Sequence, residues 1–198
     1  MIPAETSEWL HFKITGEDLN LISPLLCIGA AAIVVLVIDL FRIDRENKSF
    51  AFHLTWAGIA IALSFDLMLL STGTKHAAAF QGLILCDRLA LVLNALILVS
   101  ALLAVFLSGF YMKRAGVVLA EYYVLILSVV MGMIIIAMSG DLILLFLGIE
   151  LLSIPLYVLA AILRHRRASV EAGLKYFLLG AFASGFLLYG IALLYGAT

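Results

Sequence analysis

Six long apolar stretches dominate the chain and are separated by short polar segments. They run approximately over 21–41, 53–71, 89–111, 122–139, 142–163 and 172–195. A helix needs about 20 residues to cross a hydrocarbon core of roughly 30 Å, and each stretch is close to that length. Backbone hydrogen bonds must be satisfied inside lipid, and the stretches do not alternate apolar and polar residues, so they predict helices rather than strands. The predicted fold class is an all-α polytopic membrane protein with six transmembrane helices.

Composition supports this class and excludes several functions. Hydrophobic residues make up 65% of the chain and charged residues 13%, about half the usual charged share of a soluble domain. The mean hydropathy of +1.20 agrees. A net charge of −1 with no basic tail argues against nucleic-acid binding. The spacing of the two cysteines and four histidines matches no metal, iron–sulfur or haem site, and no nucleotide-binding motif is present. We therefore expect no metal and no cofactor in this chain.

Lysine and arginine residues predict the orientation in the membrane. Eight follow the first, third and fifth spans, whereas three lie on the opposite side. The eight are Arg42, Arg45, Lys48, Lys113, Arg114, Arg164, Arg166 and Arg167, and the three are Lys13, Lys75 and Arg88. Because cytoplasmic loops carry the excess of cations, residues 1–20 are predicted to form an extracytoplasmic N-terminal segment. The chain stops directly after the sixth span, which suggests a fragment of a longer protein.

Four charged residues fall inside the apolar spans: Asp39, Asp66, Glu150 and Lys175. A charge near the bilayer centre costs roughly 3 kcal/mol, so its depth decides which one needs an explanation. Asp39 and Asp66 are close enough to span ends for structural or interfacial roles to be favoured. Glu150 lies about 12 Å below the outer end of the fifth span. It must be protonated, paired or in contact with water, and each of these states suits proton transfer better than simple packing.

The neighbours of Glu150 support a proton-transfer role. Ser153 and Tyr157, at i+3 and i+7, extend its face into a polar stripe. Pro155 lacks an N–H, so the carbonyl of Leu151 loses its helical donor one residue from Glu150 and could hold water. The alternatives are that Pro155 only bends the helix and that Glu150 is a neutral hydrogen-bonding group between helices. We predict proton translocation at Glu150, with Ser153, Pro155 and Tyr157 as polar lining, and no catalytic residue in this chain.

Lys175 near the start of the sixth span is the second candidate. Its side chain could extend to the headgroups, or it could pair with Glu171 at i−4. A different possibility follows from the small residues that surround it, because they indicate a closely packed helix on which an inward-facing lysine would be desolvated. Desolvation favours release of its proton and would suit a translocation role. The sequence leaves these possibilities open.

The stretch from Gly140 to Gly196 carries a family resemblance. It contains a mid-helix glutamate, a nearby proline, a basic loop, and a lysine followed by a glycine-rich run, in GDLILLFLGIELLSIPLYVLAAILRHRRASVEAGLKYFLLGAFASGFLLYGIALLYG. This arrangement resembles the antiporter-like, proton-translocating membrane subunits of respiratory complex I, and looks most like the subunit N branch. Members of that family have about fourteen helices, with two inverted repeats. The resemblance implies that 21–111 holds three preceding helices and 122–198 the beginning of the first repeat.

The resemblance also implies roles for the two candidate residues. In the family, a glutamate in the position of Glu150 modulates the proton affinity of a lysine on a later, broken helix, and a lysine in the position of Lys175 helps to couple neighbouring sites. The broken-helix lysine has no counterpart before residue 198. By helix rise, Glu150 and Lys175 differ in depth by roughly 14 Å, so their direct pairing requires an extended lysine or bridging water.

The implied function is a membrane-arm subunit of a proton-translocating NADH:quinone oxidoreductase in the bacterial inner membrane. Flavin mononucleotide and iron–sulfur clusters are expected in partner subunits. The expected partners are other membrane-arm subunits, lipid and protons, with quinone and NADH reached through the complex and no nucleic acid. Two alternatives remain: a subunit of a multisubunit cation/proton antiporter, and a scaffolding helix bundle without transport. The transported ion and the quinone are not specified by the sequence.

Overall fold

A computed structural model describes residues 15–41, 49–72, 77–115 and 120–197. These residues form seven α-helices and one β-hairpin. Their bounds are α1 Gly16–Leu21, α2 Ser23–Phe41, α3 Ser49–Ser71, β1 Ala77–Ala79, β2 Ile84–Cys86, α4 Arg88–Ala115, α5 Ala120–Met138, α6 Leu142–Ala160 and α7 Arg167–Ala197. Helices α2 to α7 are each long and apolar enough to cross a membrane. The predicted six-helix membrane fold is therefore confirmed.

Four helix ends differ from the predicted spans by three residues or more, and one of them is the end of α4 at Ala115 rather than near residue 111. Helix α7 begins at Arg167 rather than near residue 172, and α3 begins at Ser49 rather than near residue 53. Hydropathy marks where apolar residues begin, whereas helical hydrogen bonds continue through polar residues at the membrane surface. Helix α6 ends at Ala160 rather than near residue 163, and the Ser169 hydroxyl donates a 2.7 Å hydrogen bond to the Ala160 carbonyl. The earlier start of α7 changes the depth of Lys175.

Helices α2, α3, α4 and α5 form a cluster that contains most of the buried core. Helix α2 packs against α3 and α5, and α4 packs against the same two helices. Helix α6 lies on the outside of this cluster against α5, and α7 packs against α6. The largest fully buried apolar side chains all come from the cluster: Ile28, Val35, Ile59, Leu91, Leu98, Val105, Leu127, Val130 and Ile134. Only 6% of the most apolar part of α7 is buried, so most of its surface is available to lipid or to other protein.

Small residues bring two pairs of helices into close contact. A side chain at Gly58 on α3 would overlap Ala31 on α2. A Cβ atom at Gly132 on α5 would lie 2.6 Å from the Leu152 nitrogen and 2.8 Å from the Gly148 carbonyl oxygen of α6. Close backbone approach at small residues is a common way for membrane helices to associate. It fixes α6, which carries Glu150, firmly against α5.

A short β-hairpin between α3 and α4 accompanies the predicted helices. Its antiparallel strands pair Ala77 with Cys86 and Ala79 with Ile84. The connecting turn places Phe80, Gln81 and Gly82 at positive φ values of 54°, 59° and 92°. Three-residue strands are too short to show a periodic pattern, and the turn lacks the Asn-Gly or Asp-Gly pair that marks common hairpins. The local sequence therefore gave no hairpin signal.

Hydrogen bonds attach the hairpin to one end of the bundle, which we name the hairpin end. The Gly140 N–H donates to the Leu83 carbonyl at 2.8 Å, between α5 and α6. The Phe80 N–H donates to the Asp18 carboxylate on α1 at 3.3 Å. Helices α3, α5 and α7 end on this side, and α2, α4 and α6 begin there. The hairpin is therefore part of the surface that the charge distribution predicts to be extracytoplasmic.

Helix α1 belongs to the predicted N-terminal segment and is held by a capping box. The Asp18 carboxylate accepts from the Thr15 N–H at 2.9 Å, and the Thr15 hydroxyl oxygen accepts from the Asp18 N–H at 3.3 Å. The hydrogen bonds from Thr15, then the one from Phe80, lower the pKa of Asp18 despite a small opposing effect of burial. Residues 1–14 of the segment lie outside the described residues, as do five cations used for the orientation: Lys13, Arg42, Arg45, Lys48 and Lys75.

Candidate functional site

Glu150 lies near the middle of α6. It follows Leu142 by eight residues and precedes Ala160 by ten, which places it about 12 Å and about 15 Å from the two helix ends. The residue is half-buried, and its Oε1 atom is shielded without a hydrogen-bond partner among the described residues. A polar atom in that state has lost water without gaining a protein partner, which is costly inside a membrane. The carboxyl group therefore lies near the middle of a helix that is long and apolar enough to cross a membrane.

Tyr157 extends the face of Glu150 toward the other end of the bundle. It is buried between α6 and α7, with ring-centroid distances of 4.8 Å to Tyr176 and 5.9 Å to Phe177. Its hydroxyl lies over Gly180, where any side chain would overlap the tyrosine ring. A residue seven positions along a helix is rotated by only about 20°, so Glu150 and Tyr157 share the face that meets α7.

Ser153 and Pro155 lie within the same two turns of α6. Ser153 is half-buried, and Pro155 is buried inside the helix. Pro155 has no N–H to donate to the Leu151 carbonyl, so that acceptor is released beside Glu150. All four α6 residues predicted for the site lie in the same helix, with Ser153 and Tyr157 nearer the face of Glu150 than Pro155 is. Their part in proton movement stays a prediction.

Lys175 is placed away from Glu150. Its ammonium lies 2.6 Å from the Glu171 carboxylate, and the two side chains are 70% and 63% exposed. Lys175 is rotated by about 200° from Gly173, which contacts α6 at Ala161 and at the Tyr157 carbonyl. It therefore lies on the face of α7 opposite to α6. The structure contains the Glu171 pair that the sequence left as one possibility, and it does not bring Lys175 to Glu150.

The contacts of Gly173 also give the relative depth of the two candidate residues. Gly173 is level with the turn between Tyr157 and Ala161, and α6 and α7 run in opposite directions. Glu150 is then about 10 Å closer to the hairpin end than Lys175, rather than roughly 14 Å. The difference is smaller than expected because the crossing point with α6, not the apolar boundary, sets the height of Lys175.

Between Glu150 and the hairpin end, α6 and α7 border an apolar groove of about 560 Å³. Its lining is Leu142, Leu145, Phe186, Leu187, Gly190, Ile191, Leu193 and Leu194. Polar residues of α6 therefore lie on one side of Glu150, toward Tyr157, and apolar residues lie on the other. Within the described residues, α6 and α7 supply a polar path over only part of the membrane thickness.

At the hairpin end, a hydrogen bond joins the ends of α6 and α7. Asp141 caps α6 by accepting from the Ile143 N–H at 2.7 Å, and it accepts from the Tyr195 hydroxyl at 2.5 Å. The Tyr195 hydroxyl, and then the Ile143 N–H, lower the pKa of the Asp141 carboxyl. This contact holds the end of α7 beside the tight turn that connects α5 and α6.

The two other charged residues of the spans differ in burial. Asp39 is half-buried and lies two residues before the end of α2, as an interfacial role requires. Asp66 on α3 is fully buried, and so is Asn94 on α4. This pair was not predicted from the sequence. The signal was present in the spacing, because the two residues lie at similar distances from the turn that joins their helices.

No group of three or more His, Cys, Asp and Glu side chains that could hold a metal ion occurs in the described part of the chain. The polar atoms around Glu150 are a carboxyl group, two hydroxyl groups and a backbone carbonyl. Carboxyl and hydroxyl groups can both accept and donate protons.

Comparison with known proteins gives the class to which this arrangement belongs. Residues 139–198, which include α6 and α7, match the family described as NADH:quinone oxidoreductase/Mrp antiporter, TM. A chain of the structure titled "Respiratory complex I from Thermus thermophilus with bound Aureothin" is similar with a TM-score of 0.72 and 34% identity, over 88% of this chain and 37% of that one. This chain is therefore similar to the antiporter-like membrane subunits, and its residues 139–198 match their family model.

Within that family, the similar curated proteins are named subunit N. NADH-quinone oxidoreductase subunit N 2 of Roseiflexus castenholzii is 44% identical over 97% of this chain and 38% of its own length. NADH-quinone oxidoreductase subunit N of Chloroflexus aggregans is 43% identical over 93% and 37%. The chain thus spans a little over a third of the length of these relatives. The predicted resemblance to the N-terminal part of subunit N is confirmed, and the protein is a multi-pass protein of the bacterial inner membrane.

Proposed function

We propose that the chain is part of a membrane-arm subunit of a proton-translocating NADH:quinone oxidoreductase. The observation that carries the proposal is Glu150, whose shielded carboxyl oxygen lies near mid-membrane inside the segment that matches the family. No redox chemistry is assigned to this chain. Flavin mononucleotide and iron–sulfur clusters would reside in partner subunits, and quinone reduction there would reach Glu150 as a change in local charge and hydration.

The polar stripe indicates the side of the membrane to which the proposed channel opens. Glu150, Ser153 and Tyr157 follow α6 toward the end of the bundle that is predicted to be cytoplasmic, while the groove on the other side is apolar. The chain would therefore supply part of a proton channel that opens toward the cytoplasm. The remainder of the channel would come from parts of the subunit that this chain does not contain.

Lys175 would act as the coupling group of this channel. In its present position it is exposed and paired with Glu171. A coupling role requires Lys175 to exchange this partner for another group when the complex turns over. Glu150 could be that group only through bridging water or a rotation of α7, because the two residues lie on different faces and about 10 Å apart in depth.

The exposed surface of α7 supports the proposed partners. Large apolar side chains line it, including Leu179, Phe182 and Tyr189. An apolar surface of this extent must be covered by lipid or by further helices. The proposal assigns it to the remaining helices of the subunit and to other membrane-arm subunits. Residues 21–111 would form the three-helix start, and 122–198 the beginning of the first repeat.

A complementation experiment tests this function. A bacterial strain lacking its own subunit N is supplied with the full-length protein that contains this chain, and inverted membrane vesicles are prepared. We expect NADH oxidation to acidify the vesicle interior, and an inhibitor of quinone reduction to abolish the acidification. NADH oxidation without acidification, in a complex shown to be assembled, would exclude a role in translocation.

The second candidate is a subunit of a multisubunit cation/proton antiporter, because the matched family includes the Mrp antiporters. An antiporter exchanges ions without NADH. The same vesicles should then show proton movement when a sodium gradient alone is imposed. Acidification that requires NADH and is unaffected by sodium supports the first function, and the reverse pattern supports the antiporter.

A further inference from the structure

A second buried polar site lies between α3 and α4, away from Glu150. The Asp66 carboxyl and the Asn94 carboxamide are both fully buried. All four of their side-chain oxygen and nitrogen atoms are shielded and have no hydrogen bond among the described residues. Asp66 precedes the end of α3 by five residues, and Asn94 follows the start of α4 by six. Both are therefore about 8–9 Å from the hairpin end.

The two side chains are close enough for the Asn94 amide to act on the Asp66 carboxyl, although they do not meet the geometry of a hydrogen bond. Such a pair is unlike ordinary packing between membrane helices. Burying one polar group without a partner already costs roughly 1–3 kcal/mol, and a carboxylate costs more. Two neighbouring buried polar groups are therefore best stabilised when they hydrogen-bond to each other.

The charged groups near Asp66 indicate its protonation state. Helix α3 packs against α2, α4 and α5, and in the half that contains Asp66 the ionisable side chains of these helices are Cys27 on α2 and Arg88 on α4, with none on α5. Arg88 is exposed and does not act on Asp66. The hairpin contributes Cys86 and is followed by Asp87, which are a thiol and a second acid. Lys75 and His76 lie outside the described residues. No described cation compensates a negative charge on Asp66.

A neutral carboxylic acid complements a carboxamide fully. The acid O–H donates to the amide oxygen, and the amide N–H donates to the acid carbonyl, so both groups become donor and acceptor at once. A carboxylate could accept from the amide but would leave the amide oxygen unpaired. We propose that Asp66 and Asn94 form a buried proton-binding site, in which Asp66 carries the proton and a change of side-chain rotamer gives it reciprocal hydrogen bonds with Asn94.

The hairpin covers this site on the side from which a proton would arrive. Cys86 on β2 is fully buried and close enough to Asp66 to sense its charge. Burial, the largest cause, raises the pKa of the Cys86 thiol above its ordinary value. The hairpin is held by its bonds to Asp18 and Gly140. Proton exchange at Asp66 would therefore require the hairpin to move, and the site would equilibrate with the hairpin end rather than with the Glu150 stripe.

Infrared spectroscopy of the full-length subunit in its assembled complex tests the proposal. The C=O stretching band of a protonated carboxyl group is compared at neutral pH between the wild type, Asp66→Asn and Glu150→Gln. We expect Asp66→Asn to remove one such band and to retain assembly, because an amide at residue 66 can also pair with Asn94. Glu150→Gln should leave this band in place, which separates the site from the proposed translocation pathway.

Asn94→Leu provides the second test and keeps Asp66 available if Asp66→Asn fails to assemble. It removes the hydrogen-bond partner without changing the acid, so the band should shift to higher frequency and remain. The proposal is overturned if Asp66→Asn removes a carboxylate band instead of an acid band. It is also overturned if Asn94→Leu leaves the acid band at an unchanged frequency.

Discussion

The Lys175 ammonium lies 2.6 Å from the carboxylate of Glu171, one helical turn earlier on α7. This ion pair occupies the face of α7 that points away from Glu150. Both partners are exposed, and an exposed pair at i,i+4 contributes about 0.3–0.5 kcal/mol. So weak a pair can be exchanged readily, which allows Lys175 to be reached by a different acidic partner in the assembled complex.

Glu171→Gln should therefore change the free energy of unfolding by about 0.5 kcal/mol or less and leave NADH-driven proton pumping intact. Lys175→Met should lower pumping several-fold, because it removes the group that exchanges partners. Pumping is measured in vesicles with equal amounts of assembled complex. Equal losses in the two variants would mean that the Glu171 pair itself, and not Lys175, is required.

Gly132→Ala should destabilise the protein, because a Cβ atom there meets backbone atoms of Leu152 and Gly148 that cannot move aside independently. Overpacking of this kind costs typically 1–3 kcal/mol. Gly16→Ala is the matched control, since it adds the same methyl group to a position of α1, outside the spans, with open space around it. Unfolding of the detergent-solubilised full-length subunit measures both. Equal stability of the two variants would contradict the close α5–α6 contact.

Tyr195→Phe should lower the free energy of unfolding at neutral pH, because it removes the hydrogen bond to the ionised Asp141 carboxylate. The Tyr195 hydroxyl is the first cause of the lowered pKa of Asp141, whose ordinary value is 3.8. A carboxyl group whose pKa is lower in the folded state stabilises the protein when the pH is above its ordinary pKa. This contribution is lost as the pH falls through the pKa of the folded state. The wild type should exceed Tyr195→Phe in stability above about pH 4 and lose this advantage in more acidic solution. A difference that grows on acidification would contradict the assignment.

The predicted orientation can be tested with single cysteines in a background without Cys27 and Cys86. Thr72→Cys lies at the hairpin end, and Arg166→Cys lies in the exposed turn between α6 and α7. A membrane-impermeant thiol reagent applied to intact spheroplasts should label the cysteine at residue 72 and leave the one at residue 166 unlabelled. The opposite labelling would reverse the topology and the proposed direction of the polar stripe.

The sequence was sufficient for the helix count because the bilayer imposes a length on every apolar stretch. Glu150 could also be located in depth from spacing alone, since its helix begins at a tight turn after Gly140. Lys175 could not, because its depth depends on where α7 crosses α6 at Gly173. Helical propensity and hydropathy do not determine that contact.

The hairpin and the Asp66–Asn94 pair could not be predicted from single segments of the sequence, because both depend on contacts between distant segments. The strands pair over only three residues, and they are held by Gly140 and Asp18, which are distant in sequence. Asp66 was judged by its distance from the end of a single span. Pairing the two spans that flank the hairpin would have placed it opposite Asn94.

The most direct test of the central claim is proton pumping per NADH oxidised in vesicles that contain the full-length subunit with Glu150→Gln. Glu17→Gln, an exposed residue of α1 outside the spans, is the matched control. We expect Glu150→Gln to lower both pumping and coupled NADH oxidation while the complex remains assembled, and Glu17→Gln to match the wild type. Unchanged pumping in an assembled Glu150→Gln complex would contradict the claim and leave Glu150 as a hydrogen-bonding group between helices.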